Sequence, residues 1–118
     1  MGKVRMKVFP KGFFVYGVHC GLKKGKEKDL AFFLSESCAV AGGMFTSNKV
    51  KAAPVVVSCR NIKSEHTQAI IVNSGCANAC TGRKGIMDAE RICKVVGRLW
   101  NISPKSVLPS STGVIGRY

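Results

Sequence analysis

The amino-acid sequence predicts an α/β fold in which helices are layered on a β-sheet. Alternating apolar and polar residues near the N-terminus indicate strands, and apolar residues at helical spacing between positions 86 and 99 indicate an amphipathic helix. The 118 residues are 46% hydrophobic and include 13 glycines, which suffices for one packed core with many loops. Residues 1–118 are therefore predicted to form a single unit, without an internal repeat or linker.

The N-terminal third is predicted to be sheet. Its first strand is indicated by three apolar residues that alternate with basic ones and are followed by Pro10, namely Val4, Met6 and Val8. Two further strands, "GFFVYGVHC" at residues 12–20 and "DLAFFLSE" at residues 29–36, flank a charged turn. This arrangement is typical of a hairpin.

The middle of the chain is less regular. "CAVAGGMFTSNKV", residues 38–50, is predicted to be a strand, with a bulge or a close backbone approach at its paired glycines. In "KAAPVVVSCRNI", residues 51–62, three consecutive valines favour a strand, whereas Pro54 is suited to the first turn of a helix ending near Ile62. The helix is preferred, and the strand remains the alternative.

The C-terminal half is predicted to run from strand to helix to strand. "QAIIVNSG", residues 68–75, is a buried strand that leads through the loop "NSGCANACTGRKG" into a helix over residues 86–99. Asp88 and Glu90 are assigned to the first turn of that helix, where the helix dipole favours carboxylates. "SVLPSSTGVIG", residues 106–116, is a final strand that ends in a turn.

The chain carries 19 basic and 6 acidic residues, a net charge of +13. Such a surplus suits a nucleic acid, an anionic ligand or an acidic partner chain. Basic residues are interleaved with aromatic ones only in "KVFPKGFFVY", and the lysine-rich run "GLKKGKEKD", residues 21–29, is predicted to be a solvated loop. No apolar run is long enough to span a membrane and no export signal is apparent, so a cytoplasmic location is expected.

The six cysteines lie singly in apolar or glycine-rich segments, so we expect reduced and mostly buried thiols rather than a disulfide framework. Only Cys76 and Cys80 are close in sequence, and His19 and His66 are far from them. A zinc site needs about four ligands, usually as two close pairs, and none is predicted.

Two segments contain residues that could bind a ligand or take part in catalysis. The loop at residues 73–85 combines three glycines with asparagine, serine and threonine ahead of a helix, where an anion can bind. It matches neither a P-loop nor a dinucleotide fingerprint. The alternative is structural: glycines for tight turns, with side chains that satisfy the loop backbone.

The second segment is "SSTG", residues 110–113. Thr112 and Gly113 are candidates for an oxyanion hole, in which the threonine hydroxyl and the glycine N–H donate to the oxygen that becomes negatively charged during acyl transfer. The alternative is an ordinary serine and threonine turn. A nucleophilic Ser110, Ser111 or Thr112 would lack a base, because no motif places a histidine beside them.

Four stretches together resemble a known family in order and in distance: "PKGF", "AGGMFTSNKVKAAPVVVS", "AIIVNSGCANACTGRKGIMDAERI" and "SSTGVIGRY". They resemble the N-terminal part of the bifunctional ornithine acetyltransferase and N-acetylglutamate synthase of arginine biosynthesis. The family usually has Asn where this chain has Cys76. That difference bears on the hydrogen bonding of the loop.

The resemblance implies acetyl transfer from N-acetylornithine to glutamate, with acetyl-CoA as a second acetyl donor and no resident cofactor. It implies an acetyl-enzyme on a threonine that becomes the N-terminus of a β chain after self-cleavage, αβ pairs that assemble further, and an oxyanion hole at Thr112 and Gly113. That nucleophilic threonine lies downstream of "STGVIG" in the family, so the resemblance implies an N-terminal part of an α chain that is inactive alone. The alternative function is a small basic nucleic-acid-binding module.

Overall fold

The structure, a computed structural model, describes residues 10–118, so the strand predicted from Val4 to Val8 lies outside the described residues. Between residues 10 and 118 it contains four strands and two α-helices, with a single 3₁₀ turn before the last strand. In chain order these are β1 Phe13–Val18, β2 Leu30–Ala39, α1 Ala53–Asn61, β3 Thr67–Cys76, α2 Gly82–Trp100 and β4 Val107–Val114. The mixed α/β class is confirmed.

The four strands form one sheet in the order β1-β2-β3-β4. The predicted hairpin is confirmed, because β1 and β2 are antiparallel neighbours, and β2 is also antiparallel to β3. The last pair, β3 and β4, is parallel, and α2 provides the crossover between them. A parallel pair connected by a helix places the ends of both strands at the same edge of the sheet.

One face of the sheet, called the helical face below, is covered by α1 and α2. Phe32, Ala69 and Val107 project from three neighbouring strands into the buried core, and the Phe32 ring lies 4.3 Å from the Trp100 ring between centroids. The helices complete this core with Ala53, Val57, Ala89, Cys93 and Val96. This is the layered arrangement that the sequence predicts.

The opposite face, called the open face below, has no covering layer among residues 10–118. Side chains alternate between the faces of a strand, so the neighbours of the core residues project here. Phe13, Phe33 and Ile70 are 48%, 37% and 41% exposed. The centre of the open face is apolar, whereas Ser110 and Thr112 lie on it towards the end of β4. Its apolar residues are Phe13, Val15, Ala31, Phe33, Ile70, Val72 and Leu108.

Helix α1 is confirmed over the alternative strand, and Pro54 lies in its first turn as predicted. Two polar side chains attach the helix to β4. The Ser58 hydroxyl donates to the Pro109 carbonyl over 2.6 Å, and the Asn61 amide donates to the Val107 carbonyl over 2.9 Å. Since both residues are buried, these hydrogen bonds fix the helix on the sheet where a free polar group would be costly.

Helix α2 begins at Gly82, four residues before the predicted start. The placement of Asp88 and Glu90 in its first turn is therefore wrong; they lie further along and pair with Lys84 at 2.6 Å and Arg60 at 2.9 Å. The glycines of this segment suggested a loop. However, Gly85 is required by packing inside the helix, because a Cβ there would lie 2.7 Å from the Cβ of Thr81.

The strand predicted over residues 38–50 is wrong beyond Ala39, where β2 ends. The following segment pairs with no strand among the described residues, and Val40 is 94% exposed while Met44 is fully exposed. A close backbone approach does occur at Gly43, where a Cβ would lie 2.7 Å from the Ile62 side chain. The paired glycines thus mark a loop crossing the end of α1.

All six cysteines are free thiols, but the expectation that they are mostly buried is wrong. Only Cys93 is buried, and its burial raises the pKa of the thiol to about 11. The others lie at strand ends, in loops or on the outer side of α1. Apolar flanking sequence did not indicate burial, because the segments that carry these thiols are themselves exposed or half-buried.

Candidate functional site

The C-terminal stretch "SSTGVIGRY" is part of the fold. Thr112 and Gly113 lie in β4 opposite Ser74 and Gly75 of β3. The turn that follows is also held, since the Gly116 N–H donates to the Ala79 carbonyl over 2.8 Å. Beyond it, the hydroxyl of Tyr118 donates to the carbonyl of Thr81 over 3.1 Å. These contacts bind the end of β4 to the loop between β3 and α2.

Gly113 has a backbone φ of +129°, a conformation that residues other than glycine rarely adopt. It also lies against the backbone of the neighbouring strand, where a Cβ would be 2.6 Å from the Cys76 nitrogen. The residue is nevertheless exposed to solvent. A glycine backbone at this point is thus both fixed by its neighbour strand and open to a ligand.

The side chains of β4 alternate between the two faces. Ser111 lies on the helical side, and its hydroxyl donates to the Asn73 carboxamide oxygen. Ser110 and Thr112 fall on the side of the open face, and both are exposed. Thr112 therefore lies on the open face at the end of the parallel pair, directly before Gly113, and the oxyanion role of the two residues stays a prediction.

The two histidines lie away from these hydroxyls. His66 precedes β3, whereas Thr112 is opposite Ser74 near the far end of that strand, a separation of about 26 Å at the rise of an extended chain. His19 follows β1, three strands from β4. Neither histidine can act as the base of a nucleophilic Ser110, Ser111 or Thr112.

The polar side chains of residues 73–85 bond within the loop itself. Asn73 donates to the Cys76 carbonyl over 2.8 Å, and Asn78 donates to the Gly85 carbonyl over 2.9 Å. The Thr81 hydroxyl in turn donates to Asn78 over 2.7 Å. This pattern agrees with the structural interpretation of the loop. The side chain of Cys76 donates its thiol hydrogen to the Arg117 carbonyl over 3.3 Å and takes no part in the three bonds above.

The lysine-rich loop contains an unexpected buried carboxylate. Its lysines are mostly exposed, as predicted, but Asp29 is only 2% exposed, so its assignment to a solvated run is wrong. Asp29 accepts hydrogen bonds from the backbone N–H groups of Cys20 at 2.6 Å and Lys23 at 3.0 Å. These N–H groups, Cys20 first, hold the pKa of Asp29 well below its usual range.

A groove of about 540 Å³ lies beside α2 on the helical face, and its floor includes Ile71, Asn73 and Ser111. A second cavity of about 720 Å³ lies between α1, α2 and Pro104, away from the end of β4. No three side chains of His, Cys, Asp or Glu come together as metal ligands in the part of the chain that the structure describes. Within residues 10–118, no helix is sufficiently long and apolar to cross a membrane.

Comparison with protein families identifies the chain through nearly all of its described length. Residues 14–118 match the ArgJ family. The chain belongs to the ArgJ family. A relative from Caldanaerobacter subterraneus, named arginine biosynthesis bifunctional protein ArgJ, is 49% identical over 115 residues, which are 98% of this chain and 28% of that protein. A mitochondrial ArgJ from Meyerozyma guilliermondii is also 49% identical, over 92% of this chain and 26% of its own length.

Solved structures of ArgJ proteins have the same fold. The crystal structure of the Bacillus halodurans bifunctional ArgJ superposes with a TM-score of 0.87 at 43% identity, over 92% of this chain and 56% of that chain. The ornithine acetyltransferase of Mycobacterium tuberculosis, solved in complex with ornithine, gives a TM-score of 0.88 at 37% identity, over 92% and 59%. The chain therefore spans about a quarter of its ArgJ relatives and just over half of the solved ArgJ chains.

Two features of the site were missed by inspection of the sequence. One sequence signal could have indicated the burial of Asp29, namely its position directly before an apolar strand. The charged run that precedes Asp29 instead favoured an exposed loop. The close contact of Gly75 with Gly113 had none, because it depends on the pairing of β3 with β4, residues far apart in the chain.

Proposed function

We propose that this chain supplies the oxyanion-binding part of an ArgJ acetyltransferase that transfers an acetyl group from N-acetylornithine to glutamate. Acetyl-CoA is a second acetyl donor in this proposal, bound as a substrate rather than as a resident cofactor. The observation that carries the proposal is the pair formed by Thr112 and Gly113. Both residues are exposed at the end of a strand pair in which the backbones of Gly75 and Gly113 lie in close contact.

The proposed chemistry is acyl transfer in two steps. The hydroxyl of a threonine outside this chain attacks the acetyl carbonyl, the amide bond to ornithine breaks, and the ornithine amine leaves with the threonine proton. The amine of glutamate then attacks the acetyl-threonine ester, and the ester oxygen recovers the proton. In both steps Thr112 and Gly113 donate to the carbonyl oxygen while it is negatively charged, and such a donor typically accounts for ~10²- to 10³-fold in rate.

The nucleophilic threonine is proposed to begin a β chain that self-cleavage of a longer precursor releases, with its free amine as the local base. Two observations support a larger assembly. The chain spans about a quarter of the length of its relatives, and its open face is an apolar surface without a covering layer among residues 10–118. We propose that the remaining ArgJ polypeptide covers this face, that αβ pairs assemble further, and that residues 1–118 alone are inactive.

The test is a chimera in which this chain replaces the matching segment of the Caldanaerobacter ArgJ. The chimera is expected to transfer acetyl groups from N-acetylornithine to glutamate, whereas this chain and the remaining Caldanaerobacter polypeptide are each expected to be inactive when purified alone. Acetylglutamate is measured by mass spectrometry. A folded, self-cleaved chimera without transfer activity would contradict the proposed function.

A matched control separates a failure of folding from a failure of function. The control is the unaltered Caldanaerobacter ArgJ, in which the same positions join the N-terminal segment to its own remainder. If this control is active and a folded chimera is not, residues of this chain are at fault. Assaying transfer with acetyl-CoA in place of N-acetylornithine then distinguishes a bifunctional enzyme from one that only recycles acetyl groups.

A further inference from the structure

Asp29 has no part in the proposed chemistry, yet it is the most completely enclosed carboxylate that the structure describes, with no exposed side-chain surface. Its two carboxylate oxygens accept backbone hydrogen bonds from Cys20 and Lys23 at opposite ends of one loop turn. The ring nitrogen Nδ1 of His19 lies 3.3 Å from the same carboxylate. A buried anion that accepts hydrogen bonds from several backbone N–H groups fixes that stretch of backbone, because leaving the N–H groups unpaired is costly.

The backbone of Asp29 is joined to the site as well. The Asp29 carbonyl accepts a hydrogen bond from the Ser74 N–H over 2.8 Å, and Ser74 is the residue of β3 directly opposite Thr112. Asp29 is therefore separated from the candidate oxyanion residues by a single strand. Its own N–H donates to the Val18 carbonyl over 3.0 Å, which attaches the same residue to β1.

The loop that Asp29 holds also contacts Gly75. A Cβ on Gly75 would lie 3.3 Å from both the Leu22 carbonyl oxygen and the Lys23 side chain. On the other side Gly75 is packed against Gly113, with φ angles of +116° and +129° at the two glycines. The backbone of Gly75 is thus enclosed between the loop and the strand that carries the candidate oxyanion donors.

We propose that Asp29 is a positioning residue: by holding the loop of residues 20–28 against Gly75, it fixes the end of the β3–β4 pair at which Thr112 and Gly113 lie. Asp29 touches no substrate in this proposal and acts through Ser74 and Gly75. The inference rests on the proposed function for its catalytic consequence. Its structural part stands on this chain alone.

The structural part is tested on residues 1–118 by amide hydrogen exchange. Asp29→Asn keeps the shape of the side chain but removes its charge, and Glu27→Gln removes an exposed charge from the same loop. Losing a hydrogen bond to a charged group corresponds to roughly tenfold or more in local opening. We expect that increase at the amides of Gly75 and Gly113 in Asp29→Asn and wild-type exchange in Glu27→Gln. Faster exchange confined to Cys20 and Lys23 would overturn the proposal.

The catalytic part is tested in the chimera, assayed well below its melting temperature. Misplacing a catalytic group by about 1 Å can cost on the order of 10²-fold. Asp29→Asn is expected to lower kcat by roughly 10- to 100-fold with little change in KM, and Asp29→Glu, which restores the charge, to recover part of it. An Asp29→Asn chimera with lower stability but wild-type kcat would make the residue merely structural.

The two readouts keep the failures distinct. If the wild-type chimera has no transfer activity, the proposed function fails, while hydrogen exchange in this chain still decides whether Asp29 controls Gly113. If Asp29→Asn does not fold, Asp29→Glu is measured in its place. A longer side chain is then expected to speed exchange at Gly75 and Gly113, and unchanged exchange at both glycines would refute the inference.

Discussion

The two faces of the sheet carry similar apolar residues but have different neighbours. Phe32 on the helical face is buried and stacked on Trp100, whereas Phe33, the next residue on the same strand, is 37% exposed on the open face. Apolar side chains on both faces of a strand indicate a sheet that is covered on both sides. We proposed above that the remainder of an ArgJ polypeptide packs on the open face, and Thr112 lies at the edge of this face.

The largest expected effect separates these two phenylalanines. Phe32→Ala removes a buried ring and is expected to destabilise the isolated chain by about 3–5 kcal/mol. Phe33→Ala is expected to cost about 1 kcal/mol, since its ring is partly solvated already. Urea denaturation followed by circular dichroism measures both. Equal losses in the two variants would mean that the open face is covered in the isolated chain.

Ile70→Lys is expected to have different effects in the isolated chain and in the chimera. Ile70→Lys places a charge on the open face, where the isolated chain leaves it solvated, so the expected change is within about 1 kcal/mol. In the chimera the same lysine would be buried without a partner, and a loss of several kcal/mol is expected. Thermal unfolding of both proteins provides the measurement. A chimera that tolerates Ile70→Lys would show that another surface contacts the remainder.

A smaller effect concerns pH and arises from Asp29. Because folding lowers the pKa of this carboxyl, its ionised form stabilises the fold above the unfolded pKa of about 4, and that stability is lost as the pH falls further. Asp29→Asn is expected to be less stable at neutral pH and to lose less stability between about pH 4 and pH 2. Denaturation midpoints at several pH values test this, and equal slopes in the two proteins would contradict it.

The smallest expected signal is binding to nucleic acid. A net charge of +13 is expected to produce weak, salt-dependent association with any polyanion, with a dissociation constant of roughly 10⁻⁴ to 10⁻⁶ M. We expect no sequence preference and complete loss of binding at moderate salt in fluorescence anisotropy. Tight binding to one sequence would favour the nucleic-acid-binding module over the enzyme.

The sequence predicts those elements whose pattern is local. The hairpin of β1 and β2, the helix that starts near Pro54 and the amphipathic α2 each have their own periodicity or punctuation. The predicted start of α2 is too late because Gly82 and Gly85 are typical of loops, whereas the packing of Gly85 against Thr81 requires a glycine inside the helix. The prediction of a strand beyond Ala39 is wrong because a strand needs a neighbouring strand to pair with, and the local sequence pattern does not show whether one is present.

The site follows the same division. Thr112 and Gly113 were identified from a short motif and a resemblance, and the structure places them together at an exposed edge. The burial of Asp29 and the enclosure of Gly75 depend on three strands that are distant in sequence, so they required the fold. Local chemistry thus indicated the donors, whereas long-range pairing determines what holds them in place.

The oxyanion role is tested most directly by two hydroxyl deletions in the chimera. Ser110 and Thr112 are both exposed and lie two residues apart on the same side of β4, so Ser110→Ala is the matched control for Thr112→Ala. We expect Thr112→Ala to lower kcat for acetyl transfer by ~10²- to 10³-fold. Ser110→Ala should retain the wild-type rate, and self-cleavage should be less affected because it involves a different carbonyl. A Thr112→Ala chimera that transfers acetyl groups at the wild-type rate would contradict the assignment of the oxyanion hole.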